Sequence, residues 1–170
     1  YLGHNYGFLA FSASMEGRSA ESLSAARASA KALPPYMAKM MPGMDFLMSA
    51  PIFAMVRFGK YDELLQEPRP EAMYPVLTAL WLHGHGMALV AKGRVAAAAM
   101  DLAELRRMLD RLDPEMRAGN SPAKTVMEVA AQVLEARIAD RTDPPHALGL
   151  WARAVVMADK LPYAEPADWF

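Results

Sequence analysis

The chain has 170 residues and a formal net charge of −1, enough for one domain and too balanced to argue for nucleic acid or an anionic membrane as a partner. Hydrophobic residues make up 54%, which excludes a disordered chain, and heavy use of Ala and Met with few β-branched residues favours helix over strand. No cysteine is present, which excludes disulfides, thiolate metal sites and cysteine nucleophiles and leaves both reducing and oxidising compartments open.

The chain opens on Tyr1 with a helix expected at once, so it is expected to be a piece of a longer protein, and the missing leader does not choose between cytoplasm and periplasm. A first helical hairpin is predicted over 2–33. Its first helix carries Tyr6, Leu9, Ala10, Ala13 and Ser14 at helical spacing and ends at Gly17. Ser19 is the expected N-cap of the second helix, and Pro34-Pro35 stops it. A second, irregular unit covers 36–67. Tyr36 to Met41 suits a helical turn or two. Met44 to Phe58 reads as one helix kinked at Pro51, and Tyr61 to Gln66 as a short one.

The third unit, 72–112, is the clearest hairpin, with two long helices joined at Ala91-Lys92-Gly93-Arg94. Ala72 to Ala91 lacks Asp, Glu, Lys and Arg and is about long enough to span a bilayer. It also holds His83 and His85 near its middle, which are costly in hydrocarbon, so a buried helix and no membrane span is the expectation. The helix after Gly93 sets Leu102, Leu105 and Leu109 on one face and charges, with a Glu104–Arg107 pair among them, on the other. A fourth hairpin covers 121–161, with helix starts predicted at Ser121-Pro122 and Asp143-Pro144. Residues 162–170 read as an extended tail.

Gly17 and Gly59 lie 42 residues apart, and Gly59 and Gly93 lie 34 apart; the second spacing is the tetratricopeptide period. Apolar or aromatic residues follow Gly59 and Gly93 two positions on, at Tyr61 and Val95, and Gly86 sits where close helix packing needs a small residue. In this the chain resembles the tetratricopeptide-repeat family. Tyr1-Leu2-Gly3-His4-Asn5-Tyr6-Gly7-Phe8-Leu9, Val56-Arg57-Phe58-Gly59-Lys60-Tyr61-Asp62-Glu63-Leu64-Leu65 and the ending Leu161 to Trp169 are similar to the C-terminal part of large bacterial proteins with such repeats, whose function is unassigned. Gly7 stands where those proteins often carry a second histidine. The resemblance implies an all-α, right-handed α-solenoid of about four antiparallel hairpins over 1–161, whose first helices line a concave groove for a peptide or partner helix.

Mapped onto this chain, that surface carries His4, Phe11, Phe53, Arg57, His83, Met87 and Gln132. Aromatics supply contact area there, and Arg57 suits a carboxylate. Met37, Met40, Met41, Met44 and Met48 suit packing better than copper, since Pro42-Gly43 interrupts the run. His83 and His85, two apart on a helix, point to different sides and do not share a metal; one is expected at a packing position and one at the groove. No phosphate loop, HExxH or nucleophile elbow occurs. The expectation is a non-enzymatic scaffold for a protein or peptide, with no cofactor. A metal site using His4 is the alternative, and self-association is a further option.

Overall fold

The computed structural model describes residues 2–162 and Trp169; the tail expected over 162–170 lies outside the described residues except at its two described positions. The described chain is all-α apart from one minimal strand pair. In order come α1 (Leu2–Met15), α2 (Ser19–Lys31), α3 (Pro35–Met40), a 3-10 segment (Met44–Ser49), α4 (Ala50–Arg57), α5 (Tyr61–Leu64), α6 (Pro75–Ala91) and α7 (Val95–Leu109). Strands β1 (Arg117–Ala118) and β2 (Ser121–Pro122) follow, then α8 (Ala123–Thr142) and α9 (Pro144–Ala158).

Three turns are built alike. Gly17, Gly59 and Gly93 have φ of 78°, 64° and 75°, a region where a side chain is strained. At each, the next residue's N–H returns to the carbonyl five positions back, from Arg18 to Ala13, Lys60 to Met55 and Arg94 to Leu89, at 2.8, 2.9 and 2.8 Å. These bonds close a helix C-terminus while turning the chain into the following helix.

The helices pack as successive pairs, α1 with α2, α4 with α5, α6 with α7 and α8 with α9. The first helix of each later pair also packs on both helices of the pair before it: α4 on α1 and α2, α6 on α4 and α5, α8 on α6 and α7. Helix α6 is therefore covered on most sides, and among its residues only Pro75, His85 and Ala91 fall short of full burial. Being apolar all round suits that central place. Gly86 lets α8 approach, since a Cβ there would meet Leu134 Cδ atoms at 2.7 and 2.9 Å. One apolar core runs from α1 to α8, and a small separate cluster of Ala136, Ala139, Ala147 and Leu150 joins α8 to α9.

Four local expectations are corrected. Met44 to Phe58 is not one kinked helix: a 3-10 segment ends at Ser49, and Pro51 lies in the first turn of α4, where its missing N–H costs nothing. Asp45 belongs to that segment because it is needed elsewhere, accepting the Leu77 N–H at 2.9 Å in the first turn of α6. Ser121-Pro122 does not cap α8; it pairs antiparallel with Arg117–Ala118, and α8 starts at Ala123, whose N–H goes to Met116 O at 2.9 Å. Ser19 is the first residue of α2, with Arg18 at the N-cap. Glu104 pairs with Arg69 rather than Arg107, since the loop after α5 lies against α7. The expected start at Asp143-Pro144 is present, with Asp143 accepting the His146 N–H and Pro144 opening α9. Among the described residues no helix is long and apolar enough to cross a membrane.

Candidate functional site

A cavity of about 390 Å³ opens where α4, α6 and α8 face α9. Helix α4 supplies Phe53, Val56 and Arg57, α6 supplies His83 and Met87, and α8 supplies Val133. Trp151, Ala154, Val155 and Ala158 of α9 form the facing wall, and Trp169 lies in the site as well. Four of the seven residues singled out from the repeat register, Phe53, Arg57, His83 and Met87, thus meet in one place.

The floor is apolar and fixed. Phe53 and Met87 are each only 7% exposed. The Trp169 ring stands edge-on to Phe53, with centroids 5.4 Å apart and planes at 87°, and to His83 at 5.2 Å and 69°. Both are favourable arrangements of aromatic quadrupoles. Buried His83 places Nδ1 2.9 Å from Ala130 O. A carbonyl only accepts, so Nδ1 carries the hydrogen and Nε2 is the acceptor of a neutral ring. Burial pushes the His83 pKa down to about 4, against the opposing effect of the Ala130 bond. At neutral pH it is a weak base and an uncharged contact.

Arg57 sits at the rim. Its Nε donates to Ser14 O at 3.3 Å and Nη2 lies 3.3 Å from Met15 Sδ, so α1 holds the guanidinium, and no carboxylate partners it among the described residues. Apolar walls, aromatic edges, one neutral acceptor and a rim cation are groups that can hold a ligand.

The other three candidates lie apart. His4 is exposed on α1, edge-on to Phe8 one turn later at 4.7 Å. Phe11 is half-buried on α1 and does not line the cavity. Gln132 Nε2 donates to Leu150 O at 3.3 Å, tying α8 to α9. No group of three or more His, Asp or Glu side chains that could hold a metal occurs among the described residues, so His4 has no such set around it.

A second polar cluster lies on the other side of α6. His85 Nδ1 is 2.7 Å from Asp101 Oδ2 on α7, and its ring stacks on Trp81 at 4.6 Å. The Trp81 indole N–H donates to Glu67 O at 3.1 Å, and Arg69, paired with Glu104, lies 5.9 Å from the Trp81 ring centre. Burial raises the Asp101 pKa against the His85 hydrogen bond. These contacts fasten the loop after α5 to α6 and α7. The repeat register puts His85 at a packing position, and helix spacing puts Asp101 among the charges on the solvated face of α7. The available signal was that the two lie equally far from Gly93 on either side, which sets them opposite one another in a hairpin.

Among the cavity residues missed by the register are Trp151, on the second helix of its pair, and Trp169, beyond the last described helix. No family model matches this chain, and neither the curated proteins nor the solved structures gave a match.

Proposed function

We propose that this chain is a non-enzymatic, tetratricopeptide-like scaffold, a right-handed α-solenoid whose groove binds a peptide or an extended segment of a protein partner. The observation that carries the reading is the cavity where Phe53 and Arg57 of α4, His83 and Met87 of α6 and Val133 of α8 converge. These are first helices of three successive pairs, the helices that line the groove in tetratricopeptide arrays. Packing of each first helix on both helices of the preceding pair supports the same reading, as does the 34-residue spacing of Gly59 and Gly93. An extended ligand suits a groove lined by successive first helices, with Arg57 at its rim for an acidic group.

The test selects peptides from a random displayed library on the intact chain and measures their affinity for Arg57→Ala and Val155→Lys. Both residues are exposed and line the site, so neither change should disturb the fold. Affinity is expected to fall by about tenfold or more for at least Val155→Lys, since a lysine there desolvates badly against an apolar occupant. Selected peptides indifferent to both variants, or no selectable peptide at all, would sink the reading.

A second reading, self-association, has its own observation. Leu148 and Val156 of α9 are 74% and 53% exposed, large apolar groups on the last described helix. Light scattering over a concentration series tests it, and a constant monomer mass at high concentration rejects it.

A further inference from the structure

The way Trp169 sits in the groove says what kind of side chain the groove takes. Of the three tryptophans, Trp81 and Trp151 are tied by their indole N–H groups, to Glu67 O and Asp140 Oδ1 at 3.1 Å each. Trp169 is held among the described residues by ring edges and apolar contact, with Phe53 and His83 as its edge-on neighbours. Contacts of that kind are reproduced by any aromatic side chain and demand no particular main chain behind it. Both rings that edge the slot also have partners other than Trp169. The His83 ring is fixed by Ala130 and the Phe53 ring by its edge-on neighbour Phe46 at 6.4 Å, so an occupant orders little on entering. The cavity of about 390 Å³ beside Trp169 leaves room for residues flanking an anchor.

We infer that the slot edged by Phe53 and His83 is an aromatic-anchor subsite of the groove, filled in the free chain by its own Trp169, and that a partner peptide binds by placing an aromatic side chain there in its stead. The inference rests on the groove reading and narrows it to peptides with a tryptophan or phenylalanine anchor. Rigid aromatic groups in pockets supply most of the binding energy in peptide recognition, so the anchor governs affinity. Self-occupancy lowers the apparent affinity by the fraction of time the slot stands open, so a slot open one-tenth of the time weakens binding about tenfold.

The probe is a synthetic peptide with the sequence of residues 161–170, titrated by calorimetry into the full chain and into its Trp169→Ala and Trp169→Phe variants. Trp169→Ala is expected to bind it about tenfold or more tightly than the wild type, while Trp169→Phe, which refills the slot, stays near wild type. The same peptide with its tryptophan replaced by alanine is expected to bind none of them. Circular dichroism and melting confirm that the variants keep the fold. Equal affinity of wild type and Trp169→Ala, binding that survives loss of the peptide's tryptophan, or no binding to a folded Trp169→Ala would each overturn the proposal. Library-selected peptides that depend on Val155 while Trp169→Ala changes nothing would leave the groove standing and remove its self-occupancy alone.

Discussion

His83 shows how one side chain can serve both packing and the lining of a cavity. Its Nδ1–H is spent on Ala130 O, which joins α6 to α8, and the rest of the ring edges the slot beneath Trp169. The cost is that the buried ring resists charging, with a pKa near 4 against 6.5 when exposed. The folded state therefore binds fewer protons than the unfolded state between these values. Stability conferred by the neutral ring is complete above about pH 6.5 and is lost as pH falls toward 4, by roughly 3 kcal/mol. Asp45 runs the other way: burial raises its pKa, so acidification relieves rather than adds a cost. The two are separated by difference. Urea unfolding of wild type and His83→Gln, from pH 7 to pH 4, should show the wild type losing about 3 kcal/mol relative to the variant. A gap that does not change with pH would mean that His83 is solvated or charged in the folded state.

The elements divide into those set by local sequence and those set from a distance. The turns at Gly17, Gly59 and Gly93 were legible because a left-handed residue after an apolar stripe is a local requirement. The helices α1, α2, α6 and α7 were legible for the same reason, and the repeat register sets Phe53, Arg57, His83 and Met87 on one surface together with His4, Phe11 and Gln132, which lie apart from the cavity. The 3-10 segment at Met44–Ser49 was not legible. Its apolar spacing reads as helix, but Asp45 is claimed by the N-terminus of α6, 32 residues away in the chain. Likewise Ser121-Pro122 is a sound cap by composition, and the strand pairing of Ala118 with Ser121 overrides it. Trp151 and Trp169 escaped because they reach the cavity from outside the first-helix register. Asp45 offers the sharpest check at this scale. Asp45→Ala leaves first-turn N–H groups of α6 buried without an acceptor and should cost about 1–3 kcal/mol. Asp45→Asn keeps an acceptor and sheds a buried charge, so it should lie within about 1 kcal/mol of wild type. Equal losses in the two variants, measured by chemical denaturation, would show that the charge itself, not the acceptor, holds α6.

At the scale of the whole molecule, packing is unevenly placed. The core that runs from α1 to α8 is built on α6, buried along nearly all its length. Helix α9 packs chiefly on α8, through a cluster made mostly of alanines with Leu150 and Trp151. Small side chains bury little apolar area, so the free energy that docks α9 is a fraction of what holds α6. Yet α9 supplies one wall of the cavity, through Trp151, Ala154, Val155 and Ala158. A weakly docked element that lines a site is where a ligand can shift a local equilibrium, because binding that requires the closed arrangement pays its ordering cost. Native-state hydrogen exchange reads both halves of this argument. Amides of α9 should exchange through local opening, with little dependence on low urea, while amides of α6 exchange only with global unfolding. Adding a groove-binding peptide at about 100 times its Kd should then raise α9 protection by up to about 2.7 kcal/mol. The helix would have to be docked as firmly as the core if its amides instead exchanged as slowly as those of α6 and with the same urea dependence. In that case the groove is a rigid slot, and affinity would be set by the anchor contacts at Phe53 and His83 without any contribution from ordering α9.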